Sequence, residues 1–198
     1  MSPTNSGLQL ILASTSHYRK DLLSRLGVAF ETAAPDVDES PLENEPPADT
    51  ASRLALAKTQ AVRSRFPGAL IVGSDQVAVC NGMRLDKPVT HAVAVEQLRH
   101  VSGKSVTYHS AVVLLNAHSG RVQARLVPTA VKFRRLDPVE IERYLRREPA
   151  YDCAGSAKAE GLGISLVESI ESDDPTALIG LPLIALAHML REEQLPIP

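Results

Sequence analysis

Hydrophobic positions along this chain come in short blocks whose period changes from block to block. Leu8 to Ala13 is an unbroken apolar run, far below the roughly 20 residues of a membrane span and suited to a buried strand. Leu22, Leu23 and Leu26 then share one helical face, with Arg19, Lys20 and Arg25 largely off it. That pattern predicts an amphipathic helix, stopped at Gly27. Val28 to Ala33 reads as a second strand. Leu54, Ala57, Ala61 and Val62 mark a helix opened by Pro46-Pro47 and running to about Phe66. Ala69 to Gly73 is another buried strand, continued by Val77 to Cys80, and Asn81-Gly82 is a hairpin turn signal.

The second half keeps alternating. Thr90 caps a predicted helix over His91 to Val101. Ser105 to Asn116 and Arg121 to Arg134 read as two long strands joined across His118-Ser119-Gly120. Asp137-Pro138 starts a helix to about Arg147, whose Glu140, Glu142, Arg143, Arg146 and Arg147 read as a solvated face. Tyr151 to Gly163 is small and glycine-rich, with Ser156, Lys158 and Glu160 as candidate ligand groups, and Ile164 to Val167 reads as a short strand. Gly180-Leu-Pro opens a last apolar helix to about Glu193.

Composition narrows the class. The 198 residues are 44% hydrophobic and 22% charged, which fits one globular domain with room for two lobes. A net charge of -2 argues against wholesale nucleic-acid binding. Aromatics at 4% and no Trp leave no stacking platform for single strands. Cys80 and Cys153 make no disulfide framework and read as buried small residues, so a reduced, cytoplasmic setting is expected. Met1 to Gly7 lacks a basic n-region and reads as a loose tail before a single domain over 8–198. No membrane partner is expected.

Candidate chemistry gathers where strands end and helices begin. Ser14-Thr15-Ser16 joins the first strand to a helix with Arg19 in its first turn. Backbone N–H groups, the helix dipole and a guanidinium can converge there on a phosphate; an ordinary N-cap and a solvated arginine are the plain alternative. The loop Pro35 to Asp49 is acidic and proline-rich. Most of its carboxylates read as solvated, but Asp38-Glu39 at the strand exit suits a hard divalent cation. Lys58 sits beside the apolar stripe of its helix, either snorkelling or aimed at a phosphate. Asp75, at the tip of a buried strand, is a turn cap or a working carboxylate in a ligand crevice. Lys87 precedes a proline that keeps it extended. Three cations, two carboxylates and a hydroxyl are the kit of phosphoryl chemistry. Without a phosphate-cradling glycine loop of the Walker type, hydrolysis is expected rather than transfer.

These residues carry a resemblance. Leu10-Ile-Leu-Ala-Ser-Thr-Ser, Arg19, Val37-Asp-Glu39, Lys58, Gly73-Ser-Asp75-Gln76, Lys87-Pro88 and Gly155-Ser156…Glu160-Gly161 come in the order seen in the Maf family of nucleoside triphosphate pyrophosphatases. The resemblance covers nearly the whole chain. It implies an α/β fold, a mixed twisted sheet with flanking helices and a cleft between two lobes, similar to the inosine triphosphatase type. It implies cleavage between the α and β phosphates with a divalent cation, Mg²⁺ or Mn²⁺, and a nucleotide as the partner; a homodimer is left open. By position, Asp75 would activate water, Ser14, Arg19, Lys58 and Lys87 would hold the triphosphate, and Glu39 would help hold the metal.

Within the family, one branch takes dTTP and UTP and usually has Thr after the catalytic Asp, where this chain has Gln76. The 7-methyl-GTP branch resembles the chain at Tyr18, Gln76 and Glu160. An aromatic face suits a cationic 7-methylguanine, and a carboxylate can accept from the guanine N1–H and N2–H₂ edge. The competing classes are the same chemistry on dTTP or UTP, and a nucleotide-binding regulator of septum formation without turnover.

Overall fold

The computed structural model describes residues 8–197; the expected loose tail, residues 1–7, lies outside them. Five α-helices and seven strands follow in the order β1 (Leu10–Ala13), α1 (His17–Ser24), β2 (Glu31–Ala33), α2 (Pro47–Arg63), β3 (Leu70–Cys80), β4 (Met83–Leu85), α3 (His91–Val101), β5 (Ser105–Asn116), β6 (Val122–Phe133), α4 (Pro138–Arg147), β7 (Val167–Glu171) and α5 (Leu183–Glu192). The sheet is mixed, ordered β2-β1-β3-β5-β6-β7, with β4 paired to β3. The fold is therefore the expected α/β class.

The chain divides into two compact units. Among the described residues, the first holds 8–75, Ser110–Val127 and 174–197; the second holds Gln76–His109 and Pro128–Asp173.

The first unit is a parallel core. β1 pairs in parallel with β2 on one side (Ala13↔Ala33) and with β3 on the other (Leu12↔Val72). Side chains alternate across such strands, and the two faces are covered by different helices. Leu10, Leu12, Leu70 and Val72 pack with Leu22 and Leu23 of α1 and Leu186, Met189 and Leu190 of α5. Ile11, Ala13, Ile71 and Ala33 pack with Val62 of α2. The chain thus leaves β1 through α1 to one side and returns through α2 to the other. Order β2-β1-β3 with helices on opposite faces is a topological switch at β1, and ligands of open α/β sheets bind outside the carboxyl ends of strands at such a switch.

Close approach makes this packing specific. A Cβ on Gly73 would lie 2.3 Å from the Ala55 carbonyl oxygen and 2.6 Å from Thr59 Cγ2. Only glycine lets β3 sit this near α2.

The second unit carries α3, α4 and their surroundings. Thr90 Oγ1 caps α3, accepting from Val93 N, and Asp137 and Glu140 close a capping box on α4. At the β3–β4 turn Asn81 and Gly82 have φ of 49° and 80°, as a tight hairpin with two left-handed residues requires.

Several expectations are corrected. The strand expected at Val28–Ala33 covers only Glu31–Ala33. α2 ends at Arg63 rather than near Phe66, and α5 begins at Leu183, after the prolines and glycine that precede it. The strand expected at Ile164–Val167 is a 3₁₀ turn over Leu162–Leu166, and the strand begins at Val167. Gly163 explains that turn: a Cβ there would meet the Lys158 backbone at 2.6 Å, so the segment folds back on itself rather than extending. On α4 the polar face is partly engaged, since Glu142 lies 3.1 Å from His91. Cys80 is buried, but Cys153 is only half-buried.

Candidate active site

The switch point gathers the polar residues of the first unit. β1 ends at Ala13, and the parallel register with β3 brings the turn that follows to the level of Ser74 and Asp75. Ser14 is buried; its Oγ accepts from Ser16 N at 3.1 Å. Ser16, not Ser14, is the N-cap of α1, accepting from Arg19 N. The plain capping role thus falls on Ser16 and leaves Ser14 in the turn itself.

Lys58 and Asp75 are 3% and 6% exposed. Lys58 Nζ donates to Asp75 Oδ1 at 2.6 Å and lies 2.8 Å from Glu39 Oε1. Lys58 is no snorkelling lysine: it is one buried ammonium between two carboxylates. Burial of a charge is tolerated only when it is paired this way. Glu39 is the open end of the cluster, with its side chain 60% exposed. The spacing on α2 follows from Gly73, because Ala55 and Thr59, which touch that glycine, flank Lys58 by one turn or less.

On the other face of β3, Ser74 Oγ lies 2.7 Å from the Ala111 carbonyl and 2.8 Å from the Gly180 carbonyl. Arg19 Nε donates to the same Gly180 carbonyl at 3.0 Å. Burial pulls the Arg19 guanidinium below its ordinary pKa, and the negative charges of Asp75 and Glu39 pull it back up. Gly180 is placed from behind. Asp174, 2% exposed, accepts from Ile184 N at 2.7 Å, and Thr176 Oγ1 accepts from Leu183 N at 2.8 Å. Together they satisfy the first N–H groups of α5, whose own N-cap position is a proline.

A further network anchors the acidic loop. Arg53 grips Glu45 with two bonds, Nε to Oε1 at 2.6 Å and Nη2 to Oε2 at 2.8 Å. Nη2 also donates to the Ser40 carbonyl at 3.0 Å. Glu45 is thus not one of the solvated carboxylates: its side chain is 9% exposed, and the bonds from Arg53 push its pKa down to about 2.

In the first unit, then, the structure brings together Lys58, Asp75 and Glu39, with Arg19 in electrostatic reach. Tyr18 lies in the same unit, on α1, its ring 3.8 Å from that of His17. Lys87, Gln76 and Glu160 belong to the second unit: Gln76 is half-buried in β3, and Lys87 and Glu160 are exposed. There Ser156 is buried and donates to Gln97 Oε1 at 2.6 Å, while Lys158 lies 3.3 Å from Asp152; both are engaged within the unit's own structure. Sequence reasoning missed the packing role of Gly73, and with it Gly180, Asp174, Thr176 and the Arg53–Glu45 pair. Acid and hydroxyl groups at Asp174 and Thr176, just before the last helix, are a capping signal that could have been read. The Arg53–Glu45 pair joins a loop to a helix and follows no period.

A divalent cation fits the donor set. No group of three or more His, Cys, Asp or Glu side chains positioned to bind a metal occurs among the described residues. Two carboxylates, Glu39 and Asp75, are what Mg²⁺ takes when water and substrate phosphates complete its shell.

A family model described as "Maf-like protein" matches residues 9–193. A protein of Aromatoleum aromaticum named "7-methyl-GTP pyrophosphatase" is 56% identical over 190 residues, 96% of this chain and 98% of that protein. One of Nitrosospira multiformis with the same name is 55% identical over 185 residues, 93% of each chain. A crystal structure of a Vibrio cholerae protein is 16% identical, covers 96% of this chain and 99% of that one, and has a TM-score of 0.47. No helix among the described residues is long and apolar enough to cross a membrane.

Proposed function

Because the chain belongs to the Maf-like protein family, we propose that it is a nucleoside triphosphate pyrophosphatase that hydrolyses 7-methyl-GTP to 7-methyl-GMP and diphosphate. The observation that carries the reading is the buried Lys58–Asp75 pair at 2.6 Å with Glu39 beside it, set where the parallel strand β1 ends beside β3.

Water attacks phosphorus, the bridging oxygen between the α and β phosphates leaves with the diphosphate, and Asp75 accepts the proton of the water. A carboxylate in this role typically accelerates the step by about 10²–10⁴. Lys58 orients Asp75 through their 2.6 Å bond, and with Ser14 and Arg19 it holds the triphosphate; Lys87 is assigned the same role on the family resemblance. Glu39 and Asp75 would hold the divalent cation, which supplies charge neutralisation on the phosphate oxygens. Tyr18, Gln76 and Glu160 are assigned to the base: Tyr18 by its ring face, and Glu160 as an acceptor for the guanine edge.

The test is diphosphate release from 7-methyl-GTP, GTP, dTTP, UTP and CTP with Mg²⁺ or Mn²⁺. The highest kcat/KM is expected for 7-methyl-GTP. A preference for dTTP or UTP would overturn the base assignment, and release from none of them would overturn the enzymatic reading.

A further inference from the structure

The Arg53–Glu45 pair holds a loop and sits outside the catalytic set, yet it touches the backbone on which Glu39 rides. We propose that it is a positioning pair that fixes Glu39 for the divalent cation; the proposal rests on the pyrophosphatase reading given above.

Glu39 stands in a stretch without regular secondary structure, and its side chain is 60% exposed. A ligand on an untethered loop would lose backbone freedom on binding a cation, and that loss would weaken the binding. This loop is already ordered by bonds made elsewhere. Arg53 Nη2 donates to the carbonyl of Ser40, the residue after Glu39. Ser40 N donates to Asp38 Oδ1 at 2.9 Å. Leu42 N donates to Glu45 Oε2 at 3.1 Å, and Thr50 Oγ1 donates to the same oxygen at 2.9 Å. Upstream, Arg65 Nη2 holds the Ala34 carbonyl at 2.7 Å. The backbone around Glu39 is therefore tied from both sides, to Arg53 and Thr50 of α2 and to Arg65 just beyond it.

One helix supplies both halves of the cluster. Arg53 fixes the loop that carries Glu39, and Lys58, five residues on, holds Asp75 and Glu39 together. A two-pronged guanidinium is needed, because Nε and Nη2 bind the two Glu45 oxygens side by side while Nη2 also reaches the Ser40 carbonyl; the single ammonium of lysine lacks the planar fork.

Arg53→Gln, Arg53→Lys and Glu45→Gln variants of the full chain test this. Mn²⁺ binding is read by electron paramagnetic resonance with a non-hydrolysable α,β-methylene triphosphate present. Hydrogen exchange is read over residues 36–45, with α2 and β3 as the folding control. Diphosphate release is titrated with Mg²⁺. In Arg53→Gln and Glu45→Gln the loop amides exchange faster while α2 and β3 stay protected. The Mn²⁺ dissociation constant and the Mg²⁺ midpoint rise by about 10–100-fold, the usual effect of losing a partner that orients a metal ligand, while kcat at saturating Mg²⁺ stays within about twofold. Arg53→Lys recovers only part of the affinity. Faster loop exchange with unchanged Mn²⁺ affinity would overturn the proposal, since the pair would then be a loop staple only. A fall in kcat with an unchanged metal midpoint would overturn it equally. If the wild type hydrolyses no nucleotide, the pyrophosphatase reading fails on its own, and the Mn²⁺ and exchange measurements still decide the role of the pair.

Discussion

Replacing Gly73 by alanine tests whether the packing of β3 on α2 sets the Lys58–Asp75 pair. The added methyl would sit 2.3 Å from the Ala55 carbonyl oxygen, 2.6 Å from Thr59 Cγ2 and 3.3 Å from Thr59 N. Ordinary contact begins near 3.4 Å, so α2 must retreat from β3 by about 1 Å. Overpacking of this kind costs about 1–3 kcal/mol, which for a chain of this length lowers Tm by roughly 2–12 °C. Lys58 rides on the retreating turn, and its 2.6 Å bond to Asp75 leaves hydrogen-bond range when stretched by that distance. A displacement of about 1 Å in a catalytic group lowers rate by about 100-fold. The assay is thermal melting together with diphosphate release at saturating nucleotide and metal. Gly73→Ala is expected to stay folded, melt earlier and lose kcat. Adding Thr59→Ser removes the methyl contact but not the one with the Ala55 carbonyl, so the double variant stays impaired. A folded Gly73→Ala protein with wild-type kcat would refute the positioning argument, whatever its Tm.

Other predictions are shorter. Asp75→Asn keeps an oxygen for Lys58 but cannot take a proton, so kcat falls by about 10²–10⁴, and Tm falls too because the buried Lys58 loses one of its two carboxylates; wild-type turnover in this variant would refute the general-base role. Glu160→Ala removes a charged acceptor, a bond worth about 1.5–3 kcal/mol, so the kcat/KM ratio of 7-methyl-GTP to UTP drops at least tenfold; an unchanged ratio would remove Glu160 from base recognition. Glu45, held down to about 2 from an ordinary 4.5 by Arg53, stabilises the loop fully above pH 4.5 and loses that effect as pH falls from 4.5 through 2. Carboxyl chemical shifts followed against pH by nuclear magnetic resonance would show a midpoint near 2, and an ordinary midpoint would mean that the fork does not form in solution.

Much of this site is legible where chemistry follows strand ends. Leu10–Ala13 is an apolar run whose exit is polar, at Ser14; Asp75, expected at a strand tip, lies instead inside β3, which runs on to Cys80, and is marked only by the polar break Ser74-Asp75 in an apolar run. Local rules also set the capped start of α3 at His91 and of α4 at Pro138, because a side-chain acceptor two or three residues from its N–H partners needs no tertiary information. The misread parts depend on distant partners. The turn at Leu162–Leu166 looks like a strand by composition, but Gly163 presses against the Lys158 backbone. Glu45 looks solvated in an acidic loop until Arg53 of α2 arrives. Asp174 and Thr176 escape sequence reading for a different reason: they cap α5 from seven to ten residues before their N–H partners, Leu183 and Ile184, behind a proline, rather than from the N-cap position itself.

The Gly180 carbonyl ties the two faces of the parallel core into one charge arrangement. Asp75 faces Lys58 of α2, with Glu39 of the preceding loop beside it; Ser74, its neighbour, faces the side of α1 and α5, where it meets the carbonyl that also holds Arg19. A single strand position therefore separates the Lys58–Asp75–Glu39 cluster from Arg19. The separation matters because Arg19 and Lys58 would repel each other if both lined one side unscreened, whereas Asp75 and Glu39 stabilise the charge on Arg19 against its burial. The carbonyl uses only Nε of Arg19. Both Nη groups, the pair that forks around phosphate oxygens, are not used by it. Fixing the guanidinium by the nitrogen least suited to a bidentate grip is how the fold orients a cation without neutralising it.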